Sequence, residues 1–224
     1  TLDRSSAASD VYKRQGSGND TFVASSAENR FDGGAGSDTV SYASSDAPVI
    51  VNLSAVTLGG VASMRGSGGY ANNDEYTSIE NVIGSSGNDI FYASADTAAA
   101  ANRFDGGGGT HNRVSYEAAT ADLTVNLITN AGSGGALGDT YANIQDVTGG
   151  AGNDTFVANS SVNFFDGGGG THNRVNYASD TTALIINLSD KTASGVAAGI
   201  GSGGNAAGDT LSLIHISEPT RQAE

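Results

Sequence analysis

The chain has 224 residues, a formal net charge of −14, no cysteine, and 33 glycines against 2 prolines. This acidity opposes binding to nucleic acid phosphates or anionic membranes and makes cations the natural partners. The lack of cysteine excludes a disulfide framework, a thiolate metal site and a cysteine nucleophile, and no apolar run is long enough to cross a membrane. With 38% hydrophobic residues and no tryptophan, a thin, repeated core is expected. Abundant glycine without a collagen-like period predicts many tight turns.

The first segment in chain order reads as foreign. Asp10-Val11-Tyr12-Lys13-Arg14-Gln15 can be encoded by DNA whose reverse complement translates as Leu-Ser-Leu-Ile-His-Ile, the sequence at 211–216. Inverted DNA at both ends is what a sequencing-library adaptor leaves. Residues 1–15 and 211–224 are therefore expected to be adaptor-derived tails outside the fold. The two tails carry four basic and four acidic residues and cancel, so the negative charge belongs to the middle. No signal peptide is visible, and the natural sequence is expected to be open at both ends.

Between the tails a long repeat contains a short one. Gly18-Asn19-Asp20-Thr21-Phe22 returns at 87–91 with Ile90 for the threonine, and again at 152–156. Phe31-Asp32-Gly33-Gly34 returns at 104–107 and 165–168, and Val51-Asn52-Leu53 at 125–127 and, with Ile186 first, at 186–188. Self-similarity of this kind is the mark of a repeat architecture. Three units follow, at 16–82, 83–147 and 148–210. Within the first, Asp20, Asn29 and Asp38 are nine residues apart, as are Phe22, Phe31 and Val40. The middle unit departs from this register near Ala98-Ala99-Ala100-Ala101, which reads as a bulged loop. Each unit then alternates apolar residues with period two: Val49, Val51 and Leu53; Leu123, Val125 and Leu127; Leu184, Ile186 and Leu188. These are strands buried on one side. The Gly-Ser-Gly-Gly stretches at 66, 132 and 201 are expected to be turns or loops.

Gly33-Gly34-Ala35-Gly36-Ser37-Asp38-Thr39-Val40 fits the nonapeptide pattern G-G-x-G-x-D-x-U, and so does Gly149 to Phe156. Gly84 to Phe91 fits with Ser85 in place of the second glycine, and Gly16 to Phe22 fits from its second position. This register resembles that of the hemolysin-type calcium-binding repeats of RTX proteins. The resemblance implies an all-β fold of parallel β-roll or solenoid segments with additional short strands between them. It also implies Ca2+ held by sixth-position carboxylates and by carbonyls of the glycine turns, since calcium takes six to eight oxygen ligands. The implied ligands are Asp20, Asp38, Asp89 and Asp154 with Gly16, Gly18, Gly34, Gly36, Gly87, Gly150 and Gly152. Successive nonapeptides alternate between two sides, which pairs Asp20 with Asp38.

Two turns depart from the pattern. Gly106 to Val114 and Gly167 to Val175 carry an extra residue and place Asn112 and Asn173 where the aspartate belongs. Asparagine offers a carbonyl oxygen without charge, so these positions are expected either to bind calcium weakly or to be purely structural. His111 and His172 beside them read as exposed turn residues, and Asp74, Asp139 and Asp209 as turn caps after glycine-rich loops. The resemblance implies a non-enzymatic calcium-binding module of a secreted bacterial protein. By the same resemblance the module is expected to fold on extracellular calcium and to be exported by type I secretion machinery. The repeat tail of a secreted hydrolase or polysaccharide-modifying enzyme, or part of a large adhesin or surface-layer protein, are the other expectations.

Overall fold

The computed structural model describes residues 11–94 and 101–215. Ala98 to Ala100, the core of the expected bulged loop, lie outside them. The chain is a flattened coil of short strands, seven to a unit. The first set is β1 (Val11–Arg14), β2 (Thr21–Val23), β3 (Asn29–Asp32), β4 (Thr39–Ser41), β5 (Ile50–Asn52), β6 (Arg65–Ser67) and β7 (Glu75–Thr77). The second is β8 (Asn81–Ile83), β9 (Ile90–Tyr92), β10 (Arg103–Asp105), β11 (Arg113–Ser115), β12 (Leu123–Asn126), β13 (Ala131–Gly134) and β14 (Thr140–Ala142). The third is β15 (Asp146–Thr148), β16 (Thr155–Val157), β17 (Phe164–Asp166), β18 (Arg174–Asn176), β19 (Ile185–Asn187), β20 (Ile200–Ser202) and β21 (Thr210–Ser212).

Successive strands alternate between two sheets, one ordered β1-β3-β7-β6-β5-β9-β11-β15-β17-β21-β20-β19 and the other β18-β16-β12-β13-β14-β10-β8-β4-β2. Neighbours along the coil pair in parallel. The exception in each unit is the triplet β5-β6-β7, β12-β13-β14 or β19-β20-β21, which folds back antiparallel within one sheet. The Gly-Ser-Gly-Gly stretches thus begin with the middle strand of a triplet, and only their ends turn. Gly66 is required there because a Cβ would run into the Tyr76 hydroxyl and the Ala71 carbonyl. Four single strands and one triplet make an odd number of crossings, so equivalent turns of consecutive units lie on opposite sides of the coil.

Most strands send their central side chain between the sheets, as strand geometry allows. Phe31, Val40, Val51, Phe91, Phe104, Val114, Val125, Phe156 and Phe165 are all fully buried. Facing phenylalanines meet ring to ring, with Phe91–Phe104 at 5.7 Å and Phe156–Phe165 at 5.6 Å between centroids. The core is one side chain deep, which accounts for the low aromatic and aliphatic content.

Three residues inside the two tails fit their places poorly. Lys13 pairs with Phe31 as Val82 does with Phe104 and Val147 with Phe165, so a lysine fills a core slot. It is 5% exposed, its ammonium donating to Val23 O at 3.2 Å and standing over the Phe31 ring. Leu211 takes the slot of Tyr76 and Tyr141. Leu213 has φ of 51°, a conformation costly for a branched side chain, where the other units carry Ser78 and Asn143. We propose that the natural repeat lies between these tails. The double variant Lys13→Val, Leu211→Tyr should then be stabilised, by on the order of 2 kcal/mol for the restored valine alone. Thermal unfolding followed by circular dichroism checks this, and an unchanged or lowered midpoint would argue that both residues belong to the fold.

Candidate metal centre

The turns before β2 and β4 stack because the two strands pair in parallel, eighteen residues apart, with Thr21 opposite Thr39. Ala35 N–H donates to Gly16 O at 3.3 Å, and Gly18 N–H donates to Ala35 O at 2.7 Å. Gly34 and Gly36 have φ of 85° and 141°, which brings their Cα atoms against the carbonyls of Gly16 and Gly18. Ser37 N–H is received by Asn19 Oδ1. At the centre, Asp20 N–H donates to Asp38 Oδ1 at 2.8 Å. The same bond joins Asp89 N–H to Asn112 Oδ1 at 2.9 Å and Asp154 N–H to Asn173 Oδ1 at 2.8 Å. The expected pairs of sixth-position residues are therefore neighbours in all three units.

The aspartates of the first turns serve backbone donors. Asp89 Oδ1 accepts from Val49 N–H and Ser85 Oγ–H, and its Oδ2 from Ser85 N–H, all at 2.7 Å. Asp154 Oδ1 accepts from Leu123 N–H at 3.1 Å and its Oδ2 from Gly150 N–H at 2.8 Å. Each carboxylate thus closes its own turn and ties it to the strand β5 or β12 of the preceding unit. Burial raises both carboxyls above their ordinary pKa, and the accepted hydrogen bonds oppose the rise. Gly87 packs on Pro48, and Gly152 on the backbone of Ala121 and Asp122.

Asp38 differs. It is fully buried, and its Oδ2 has no hydrogen-bond donor. A Cβ on Gly33 would collide with both Asp38 Oδ2 and Ser78 O, so these two oxygens lie side by side against Gly33. Ser78 has φ of 50°, the left-handed conformation that turns its carbonyl to this side. Glu80 adds a second carboxylate, its Oε2 accepting Asp38 N–H at 2.9 Å. A carboxylate oxygen without a donor beside a carbonyl, with another carboxylate near, is a donor set that suits a hard cation with oxygen ligands. Among the described residues no three His, Cys, Asp or Glu side chains converge, so an ion here would draw much of its shell from backbone carbonyls.

A second buried arrangement was hidden from sequence reasoning. Tyr42 O–H donates to Asp74 Oδ2 at 2.8 Å, and Asn29 N–H donates to Asp74 Oδ1 at 2.7 Å. The Tyr76 hydroxyl lies 2.7 Å from that of Tyr42, whose proton is committed to Asp74, so Tyr76 donates to Tyr42. Tyr116, Tyr141, Asp139 and Asn102 repeat it, and Tyr177, Asp209 and Asn163 repeat all but the second tyrosine, whose place Leu211 holds. These aspartates join strands 37 to 46 residues apart and do not cap local turns. The signal available was the recurrence of Asp-x-Tyr at 74–76 and 139–141 with a tyrosine 32 or 23 residues before the aspartate.

Desolvation pushes the carboxyls of Asp74 and Asp139 up to about 6 from 3.8. A raised carboxyl binds its proton more tightly folded than unfolded. Its contribution to stability is therefore full below about pH 3.8, falls as pH rises towards 6, and is flat above. Replacing both with asparagine should remove that fall. The measurement is the stability difference between parent and variant across pH 4 to 7 at saturating calcium, and a difference independent of pH would contradict the burial argument.

A family model described as Peptidase M10 serralysin C terminal matches residues 17–209. No curated protein and no solved structure matches the chain significantly.

Proposed function

The chain belongs to the serralysin C-terminal family, and from that premise we propose that calcium completes its folding outside the cell, at the stacked turns of the first unit. The family consists of calcium-binding repeat modules of secreted proteins, and the matched region is its structural, non-catalytic part. The single observation that carries the proposal is Asp38 Oδ2, a buried carboxylate oxygen facing a carbonyl with no donor between them. A buried charge left in that state is costly, and a bound cation removes the cost. Asp38 and Ser78 O would hold the ion, with Glu80 supplying further charge, and the ion would supply electrostatic cross-linking.

Because the ligands converge only when the turns stack, binding energy becomes folding energy. Extracellular modules of this kind respond at roughly millimolar calcium. The low calcium of the cytosol keeps the first unit open before export, and the outside medium closes it. Export by a type I machinery and the bacterial source are further parts of this reading. A second reading makes the chain the repeat tail of a secreted peptidase, which the family description favours over an adhesin or surface-layer protein. A zinc-binding H-E-x-x-H helix encoded upstream would establish it.

Circular dichroism and thermal unfolding of the full chain test the calcium reading. Millimolar calcium should deepen the β signal and raise the midpoint relative to EGTA. Magnesium should do so poorly, because it demands small octahedral sites and holds its water. Superimposable spectra and midpoints in calcium and EGTA would overturn the proposal.

A further inference from the structure

The place held by Asp38 Oδ2 exists three times, and in two copies an amide nitrogen occupies it and bonds to the carbonyls around it. Asn112 Nδ2 donates to Gly108 O at 2.6 Å and to Asn143 O at 2.9 Å. Asn173 Nδ2 donates to Gly169 O at 2.5 Å and to Leu213 O at 3.2 Å. Asn143 and Leu213 are the counterparts of Ser78, with φ of 53° and 51°. A Cβ on Gly106 or Gly167 would meet these carbonyls and the amide nitrogen, as one on Gly33 meets Ser78 O and Asp38 Oδ2. The amide orientation follows from its surroundings: Oδ1 receives an N–H and Nδ2 faces two carbonyls, so a flip would oppose oxygen to oxygen. Where the first unit has an oxygen without a donor, the others have an NH2 group that donates twice.

The neighbouring acid changes in step. Glu80 Oε2 accepts Asp38 N–H at 2.9 Å, and Gln145 Oε1 accepts Asn112 N–H at the same distance. An Asp and Glu pair carrying two negative charges in the first unit is thus an isosteric, neutral Asn and Gln pair in the second. In the third unit the place is taken by His215 Nδ1, 3.1 Å from Asn173 N, inside the tail proposed as foreign. Arg113 and Arg174 follow the asparagines where Thr39 follows Asp38. A guanidinium there disfavours a divalent cation.

From this geometry we infer that the amides of Asn112 and Asn173 take the place of the metal ion, so that the second and third units fold without calcium and only the first unit is gated by it. The inference rests on the calcium reading of the first unit. It differs from the expectation that asparagine binds calcium weakly. For that, Oδ1 would have to abandon the N–H of Asp89 or Asp154 and the NH2 group would have to leave its carbonyls.

Hydrogen exchange of the full chain, read by peptide mass, separates the cases. In EGTA, protection around β2 to β5 should fall by about tenfold or more relative to calcium, while β11 and β15 to β18 keep theirs. Asp38→Asn, which supplies the missing NH2, should be protected in the first unit in EGTA and show no calcium response there. Asn112→Asp with Gln145→Glu should transfer the response, making protection of β9 to β11 calcium-dependent. Calcium-dependent loss in all three units of the parent chain, or an Asp38→Asn chain that still needs calcium, overturns the inference and leaves the calcium reading standing. A parent chain indifferent to calcium in every unit would instead defeat that reading itself. Should the double variant fail to fold at all, the parent and Asp38→Asn still decide.

Discussion

Among the described residues no strand is longer than four residues, and most place one large side chain, or two at most, between the sheets. Such strands do not hold themselves, because three or four ladder bonds and one buried phenylalanine barely offset the entropy of ordering them. What fixes them is the stacking of turns at the coil edges, centred on one bond: a first-turn N–H donating to the side-chain oxygen of the third turn, 18, 23 or 19 residues later. That bond sets the register of β2 on β4, β9 on β11 and β16 on β18, and the phenylalanine stack follows from the register.

The bond requires a side chain with an oxygen at the third turn, and the second terminal atom of that side chain is then buried among carbonyls. Two chemical solutions are present in one molecule. Asparagine turns an NH2 group onto the carbonyls and needs nothing else. Aspartate presents a second oxygen that has no donor, and in the proposed reading a cation satisfies it. Glu80 and Gln145 follow the same division, which ties the choice to charge and not to shape. Buried charge costs free energy unless it is paired, so under the proposed calcium reading the acidic version acts as a switch and the amide version as a fixed hinge. The odd number of crossings per unit puts the switch of the first unit and the hinge of the second on opposite sides of the coil.

Much of this was legible in the sequence. The nonapeptide register placed Asp20 beside Asp38 and marked Phe22, Phe31 and Val40 as core, because period and turn chemistry are local. Other features depend on distant partners. The orientation of Asn112 is decided by the carbonyl of Asn143, thirty-one residues on, and the burden on Asp38 by Ser78 and Glu80 about forty residues on. Asp89 and Asp154 read as ligands from the motif, yet both spend their oxygens on N–H groups of their own turns and of the preceding unit. Asp74 and Asp139 read as turn caps because nothing local marks the tyrosines they join. The Gly-Ser-Gly-Gly strands read as loops because a strand of glycines has no apolar period.

Asp38 Oδ2 without a donor, against Asn112 and Asn173 amides that donate to carbonyls, is the difference to be tested. Crystals of the full chain grown with a lanthanide in place of calcium would locate each bound ion by its anomalous signal, whatever the protein's stability or rate of folding. A peak beside Asp38 Oδ2 and Ser78 O, with none beside Asn112 or Asn173, is the predicted result. Peaks of equal height at all three places, or none at Asp38, would contradict it.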